Sequence, residues 1–254
     1  MQNLRAILIA LSFLGLTLLL MPLQLLILCS SRKLSQLLPW HYHRILVGLL
    51  GMTVEVEGQI PQAPALLVCN HVSWLDIPAL GSVMPLSFIA KSEVANWPLF
   101  GWMAKLQRSV FINRQSRHAT RNSAKTIKTR FQIDDCVVLF PEGTSGDGRT
   151  VRTFKSSFFG VVEGLDIPVI PVTLVYCRHY NLPLTGRRRP NFAWYGDMDL
   201  VPHLWAALQA GPIKVKVRFQ DALAKVGRKE MAKLAEEAIR RGLIEALHGR
   251  PEIR

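Results

Sequence analysis

A histidine and an aspartate five positions apart, directly after a short apolar run, are the strongest chemical signal in the chain. The run Ala65–Cys69 is short and apolar enough for a buried strand, and Asn70 alone separates it from His71. A neutral imidazole can take a proton from a hydroxyl group, and a carboxylate beside it can orient the ring and stabilise the imidazolium. The spacing therefore predicts His71 as a general base and Asp76 as its partner. Both would lie in a strand-to-helix turn, where reactive side chains are common.

The same stretch also fits a purely structural pattern. Ser73 and Asp76 have the spacing of a helix cap, in which a serine accepts a backbone hydrogen bond and an acidic residue lies in the first turn. On that interpretation His71 is only a hydrogen-bonded turn residue. This stretch alone leaves both interpretations open.

A second informative turn follows the predicted strand Cys136–Phe140. It contains Glu142, Gly143 and Thr144, then further glycines, and Arg149 comes directly after it. Glycine permits backbone conformations that point successive N–H groups at a phosphate or an oxyanion. The turn is a near miss for the Gly-x-Ser-x-Gly motif of serine hydrolases, because its last position is aspartate. The chain has neither a Walker phosphate loop nor a dinucleotide Gly-x-Gly-x-x-Gly motif.

Two cations follow other apolar runs that predict strands. Lys91 comes after residues 86–90, and Arg114 ends the segment 109–114. A cation just past a strand end can meet an anionic ligand, although a solvated surface side chain is the alternative.

Composition points to a membrane. The chain has 254 residues, 49% of them hydrophobic, and a formal net charge of +13. The segment Ala6–Cys29 contains no charge, and its roughly 24 residues could cross a bilayer as a helix. More basic residues follow this segment than precede it, which predicts that the main domain faces the cytoplasm. The four cysteines are far apart, so we expect no disulfide and no metal site.

The N-terminal region allows two arrangements. A second apolar segment, Ile45–Met52, is too short to span but could continue a helix from about Leu34. The two helices could then form a hairpin that dips into one leaflet, with Pro22 helping the bend. The sequence does not choose between a crossing and a dip. We predict membrane-anchoring helices over residues 1–50 and a catalytic domain over 51–254, an α/β fold with a central mixed β-sheet flanked by helices.

Four blocks in order resemble the glycerolipid acyltransferase family, which includes bacterial 1-acyl-glycerol-3-phosphate acyltransferases. The resemblance covers roughly residues 50–220. The blocks are Asn70-His71 with Asp76, Phe111-Ile112-Asn113-Arg114, Phe140-Pro141-Glu142-Gly143-Thr144, and Val169-Ile170-Pro171-Val172.

The resemblance implies a role for each block and a fold like that of glycerol-3-phosphate acyltransferases. His71 would activate a hydroxyl of the acyl acceptor, oriented by Asp76, and Arg114 would hold the acceptor phosphate. Asn70 and the turn containing Glu142, Gly143 and Thr144 would help to bind the acceptor. The acyl donor would be a thioester of coenzyme A or acyl carrier protein, with no cofactor. The expected product is phosphatidic acid, made from 1-acyl-glycerol-3-phosphate at the cytoplasmic side of a bacterial inner membrane.

One position departs from the family pattern. Many members carry an arginine directly after Glu-Gly-Thr, and this chain has Ser145 there. Arg149 or Lys91 could supply the missing charge, or the acceptor could lack a phosphate monoester. The long glycine-rich turn and the segment Trp194–Met198 are similar to bacterial lyso-ornithine lipid acyltransferases, so lyso-ornithine lipid is the alternative acceptor.

The positive charge of the chain also fits a function without chemistry. The net charge of +13 and the basic run Arg187–Arg189 would suit a membrane-tethered protein that binds nucleic acid or anionic lipid. Lipid headgroups explain that charge adequately. We therefore expect a bilayer, a lysolipid and an acyl thioester as partners, and no nucleic acid.

Overall fold

One mixed β-sheet organises the chain. The computed structural model describes residues 1–112 and 117–248, with backbone only for 117–124. The strands are β1 (Met52–Glu57), β2 (Ala65–Cys69), β3 (Ser87–Lys91), β4 (Val110–Ile112), β5 (Cys136–Leu139), β6 (Val169–His179), β7 (Leu182–Pro183) and β8 (Ile213–Phe219). They lie in the order β1-β8-β6-β2-β5-β3-β4, with the short β7 paired to β6.

Helices cover both faces of the sheet. They are α1 (Gln2–Ser30), α2 (Arg32–Leu50), α3 (Asp76–Val83), α4 (Phe100–Leu106), α5 (Arg117–Gln132), α6 (Leu200–Ala210) and α7 (Arg228–His248). One hydrophobic core lies between the sheet and α1, α2, α3 and α6, and a second lies between the sheet and α5 and α7. The predicted α/β architecture is confirmed.

The central strand β2 is buried on both faces, which explains its unbroken apolar sequence. Its side chains alternate between the two cores: Leu67 and Cys69 enter the first, and Leu66 and Val68 enter the second. Such a strand cannot shift its register without placing each side chain in the wrong core. The turn that follows it is therefore rigidly placed.

The direction of the strands brings the predicted functional segments together. β2 is parallel to β5, β5 to β3, and β3 to β4. All four strands therefore end at the same edge of the sheet, the usual place for ligands in α/β proteins. His71 follows β2 at this edge, Glu142 follows β5, and Lys91 is the last residue of β3.

The N-terminal helices form a hairpin that is part of the domain. Arg5, near the start of α1, donates a hydrogen bond of 3.0 Å to the carbonyl of Leu50 at the end of α2. Further along α1, the Gln24 amide donates to the carbonyl of Leu106 at 2.9 Å. Ala6, in α1, belongs to the same core as the sheet. The predicted boundary between residues 50 and 51 therefore separates elements that pack against each other.

The opposite face of α1 exposes leucines along the length of the helix. This helix is long and apolar enough to cross a bilayer, yet the domain contacts it from Ala6 to Gln24. Contacts along most of the helix favour the hairpin arrangement over an isolated crossing. The exposed side chains include Leu4, Leu8, Leu11, Leu14, Leu18, Leu19, Leu23, Leu25, Leu26 and Leu28.

Candidate active site

His71 and Asp76 form a hydrogen-bonded pair at the end of β2. Nδ1 of His71 lies 2.7 Å from Oδ2 of Asp76, whose side chain is fully buried, while the His71 side chain is 21% exposed. With the proton on Nδ1 donated to the carboxylate, Nε2 carries a lone pair that can accept a proton. None of the described residues hydrogen-bonds Nε2. This arrangement is that of an oriented general base.

The Asp76 carboxylate is held by four donors. Besides His71, Oδ2 accepts hydrogen bonds from the backbone N–H groups of Val72 at 2.7 Å and Ser73 at 3.0 Å. Oδ1 accepts one of 2.6 Å from the hydroxyl of Tyr176. Asp76 thus holds the backbone of the turn before α3 as well as contacting His71. The Ser73 hydroxyl does not make the predicted helix cap and has no partner among the described residues.

Two aromatic residues for which the sequence predicted no role support this pair. The Phe140 ring stacks on the His71 imidazole, with centroids 4.2 Å apart and planes inclined by 20°. Tyr176 is completely buried in β6, and burial, together with the nearby Asp76 charge, raises the pKa of its phenol well above the ordinary value. It therefore remains a hydroxyl donor. A tyrosine in an otherwise aliphatic buried strand needs a polar partner, and that signal could have identified it.

Glu142 supports the turn between β2 and α3, which contains His71. One carboxylate oxygen accepts a 2.8 Å hydrogen bond from the backbone N–H of His71, and the other accepts one of 3.1 Å from that of Arg152. The residue is only 4% exposed. Its carboxylate is thus hydrogen-bonded within the protein. Both oxygens hold the backbone of the two turns in place, and the predicted role of Glu142 in binding the acceptor stays a prediction.

Asn70 is also hydrogen-bonded within the protein. Its side-chain amide donates to the carbonyl of Leu174 at 2.9 Å and accepts from the N–H of the same residue at 2.8 Å. It is 2% exposed. This double hydrogen bond ties the end of β2 to β6, and the predicted binding role of Asn70 stays a prediction.

The remaining predicted binding residues divide into three groups. Gly143, at φ 75°, begins the glycine-rich turn, and Thr144 and Arg149 are exposed along it. Lys91 is exposed at the end of β3, at the same edge of the sheet. Arg114 lies outside the described residues.

The loop that contains Arg187–Arg189 and Trp194–Met198 connects the two turns. This crossing loop, residues 184–199, is bound to the first turn because the N–H of Trp194 donates to the carbonyl of Val72 at 2.9 Å. It is bound to the second because the Ser145 hydroxyl donates to the carbonyl of Trp194. The Trp194 indole also packs edge-on against Trp97, with centroids 6.2 Å apart.

Comparison with known proteins assigns the family. A family model described as acyltransferase matches residues 52–175. A lyso-ornithine lipid O-acyltransferase of Rhizobium meliloti is 39% identical, over 92% of this chain and 84% of that protein. The one from Brucella abortus is 38% identical, over 98% and 97%. The chain belongs to the glycerolipid acyltransferase family.

Other members of the family have different named substrates. A 1-acyl-sn-glycerol-3-phosphate acyltransferase of Neisseria gonorrhoeae is 34% identical to this acyltransferase over 76% of each chain. The crystal structure of a 1-acyl-sn-glycerophosphate acyltransferase from Thermotoga maritima superposes with a TM-score of 0.68 at 22% identity. It covers 96% of this chain and 97% of its own. That likeness establishes the common fold.

An apolar cavity of about 130 Å³ lies beside the catalytic turn of the acyltransferase. Trp74, three residues after His71, forms part of its wall, with side chains of α1, α4 and α6 such as Phe13, Met103 and Leu204. The Trp74 indole N–H donates to Nδ1 of the buried His203 at 3.0 Å, which fixes the indole. The lining suits a hydrocarbon chain.

The acyltransferase should show a pH dependence of stability that originates at Glu142. Burial raises the pKa of Glu142 to about 7, against the lowering effect of the two backbone N–H groups. Because the folded-state pKa lies above the unfolded one, the resulting stabilisation is complete below about pH 4.5 and is lost as the pH rises through about 7. The Glu142→Gln variant cannot titrate there and should lack this component, which is at most about 3 kcal/mol.

Thermal unfolding in detergent from pH 5 to pH 8 measures this effect. The wild type should lose more stability than Glu142→Gln over that range. The exposed Glu163 provides a matched control, and Glu163→Gln should behave like the wild type. Parallel pH profiles for the wild type and Glu142→Gln would contradict the assignment.

Proposed function

We propose that this acyltransferase moves an acyl chain from a thioester to the hydroxyl of lyso-ornithine lipid in the membrane. The observation that carries the proposal is the environment of Ser145. This residue stands where many family members have an arginine, is 7% exposed, and donates its hydroxyl to the Trp194 carbonyl. The position therefore offers no cation to a phosphate monoester, a group that an ornithine headgroup lacks. The relatives that align over nearly the whole chain carry the matching name.

The geometry supports direct transfer with His71 as the base. The acceptor hydroxyl oxygen attacks the thioester carbonyl carbon while Nε2 of His71 takes the hydroxyl proton. A new C–O bond forms, the C–S bond breaks, and the proton passes from the imidazolium to the departing thiolate. General-base assistance accounts for roughly 10²–10⁴-fold of the rate, and the rest comes from positioning the two substrates.

The apolar surfaces support a membrane location for this reaction. The exposed leucines of α1 match the hydrocarbon region of a bilayer, and the cavity beside Trp74 would receive a short part of one hydrocarbon chain of a substrate. Thioesters of coenzyme A and of acyl carrier protein are both cytoplasmic metabolites. The active site therefore faces the cytoplasm in this proposal, with either thioester as donor.

The acceptor expected first from the sequence, 1-acyl-glycerol-3-phosphate, is the second candidate. Relatives that are 33–34% identical carry that name. Two exposed cations could contact the phosphate of this acceptor: Arg149, at the end of the glycine-rich turn, and Lys91, at the end of β3.

A direct comparison of acceptors tests the proposal. Purified enzyme would receive a labelled acyl thioester with lyso-ornithine lipid or with 1-acyl-glycerol-3-phosphate in identical micelles. We expect a kcat/KM at least about tenfold higher for lyso-ornithine lipid, equivalent to roughly 1.4 kcal/mol of discrimination. Detergent extracts prepared without the protein provide the background. Conversion of 1-acyl-glycerol-3-phosphate alone would reject the proposal in favour of the second candidate.

A further inference from the structure

Arg189 is a buried cation that forms no ion pair with the described residues. It is 7% exposed, and Nη1 donates one hydrogen bond of 3.3 Å to the carbonyl of Gly148. Its Nε is buried with no hydrogen-bond partner. No ion pair joins it to an acidic residue in the described part of the chain. A guanidinium has five N–H donors, so a single long contact leaves most of its capacity unused.

Arg189 lies where the crossing loop meets both turns of the active site. Gly148 closes the glycine-rich turn that begins after Glu142. A Cβ atom built on Gly148 would lie 3.0 Å from a methyl group of Val72 and 3.4 Å from Nη1 of Arg189. The guanidinium thus comes close to the point where the glycine-rich turn contacts the residue next to His71.

The charges around Arg189 are mixed rather than uniformly positive. Burial lowers the pKa of Arg189, Asp147 partly offsets this, and Arg149 adds to the lowering. The Asp147 carboxylate accepts a hydrogen bond of 2.9 Å from the backbone N–H of Arg149 and forms no ion pair with Arg189. A cation and an anion held near each other but apart suit a ligand that carries both charges. An amino-acid headgroup has a carboxylate for Arg189 and an ammonium for Asp147.

We infer that Arg189 binds the anionic group of the acceptor headgroup, which is the carboxylate when the acceptor is lyso-ornithine lipid. The inference rests on the proposed function for the identity of that group. Many family members have an arginine at the position of Ser145. In this chain Arg189, 44 positions further on, supplies that positive charge. A buried guanidinium binds a carboxylate strongly, because the hydrogen bonds are charge-assisted and water does not compete.

The alternative is that Arg189 only stabilises the glycine-rich turn through its hydrogen bond to the Gly148 carbonyl. The two roles are separable with a neutralised acceptor. The methyl ester of lyso-ornithine lipid keeps the hydroxyl, the chain and the ammonium but lacks the carboxylate charge. If Arg189 binds the anion, replacing it should weaken binding of the acid but not of the ester. If Arg189 only stabilises the turn, replacing it should affect both acceptors equally.

The experiment measures KM and kcat of wild type and Arg189→Gln with the acid and the methyl ester. For the variant we expect a KM for the acid about 10- to 100-fold higher, kcat within a few-fold, and an unchanged KM for the ester. Arg189→Lys, which keeps the charge, should recover part of the affinity for the acid. The exposed Arg187 is the matched control, and Arg187→Gln should change neither KM.

Each outcome decides the inference. An equal loss with acid and ester, whether it arises from folding or from catalysis, would overturn it. If the wild type converts only 1-acyl-glycerol-3-phosphate, the proposed function fails, and the same variants are compared on that lipid and on the uncharged monoacylglycerol. A loss confined to the phosphate would then support Arg189 as the anion-binding residue, and an equal loss would overturn that role.

Discussion

Replacing His71 with alanine is expected to lower the rate of acyl transfer by roughly 10²–10⁴-fold, the usual contribution of a general base. The side chain is 21% exposed, and its ring contacts Phe140 and Asp76. Its loss should therefore remove the proton acceptor while leaving both hydrophobic cores intact. The rate is measured as labelled acyl chain transferred to the lysolipid, and the amount of folded protein as the thermal unfolding transition in detergent.

A histidine remote from the site provides the matched control. His248 is exposed at the end of α7, and His248→Ala should transfer acyl chains at the wild-type rate. His71→Ala should remain in the membrane fraction like the wild type. Acyl transfer by His71→Ala at close to the wild-type rate would remove the imidazole from the mechanism.

The second large effect is expected from Asp76→Asn. An asparagine can direct its carbonyl oxygen to the three donors that now share Oδ2, those of His71, Val72 and Ser73. Its NH₂ group then faces Tyr176, whose hydroxyl must turn to accept. The orientation of the imidazole is thus retained and the negative charge is lost. We expect kcat to fall by roughly 10²-fold or more, because the imidazolium formed during transfer has lost its stabilising carboxylate.

Two further variants test whether the loss of the Asp76 charge causes the fall in kcat. Asp166→Asn makes the same change at an exposed position paired with Lys225, and should leave kcat unchanged. Asp76→Ala leaves up to four donors without their acceptor, at about 1–3 kcal/mol for each buried group, so it should also lower the unfolding temperature markedly. A wild-type kcat for Asp76→Asn would show that the carboxylate only holds the turn before α3.

The elements that position His71 were predictable because their signals are local. An unbroken apolar run such as β2 indicates a strand buried on both faces, and β5 gives the same signal before Glu142. Because parallel strands end at the same edge of the sheet, these two signals also predict that the two turns lie close together. The resemblance in four ordered blocks added the chemistry.

What the sequence did not reveal are contacts between distant segments. The hydrogen bond of Asn70 joins residues 104 positions apart, and that of Arg189 joins residues 41 apart. The orientation of the Glu142 carboxylate depends on its hydrogen bond with the backbone N–H of Arg152. No local sequence pattern predicts the position of that N–H group. α1 posed a related problem, because apolar residues occupy both its docked side, such as Ala6 and Ile9, and its exposed side. Hydrophobicity alone could not tell the two sides apart.

The leucine face of α1 has a kinetic consequence. An enzyme that is immersed along one side meets its lipid by lateral diffusion in two dimensions, and no lysolipid has to pass through water. The concentration that governs saturation is then the mole fraction of lysolipid in the leaflet. Diluting that leaflet with inert lipid slows such an enzyme even when the amount of substrate in the vessel stays constant.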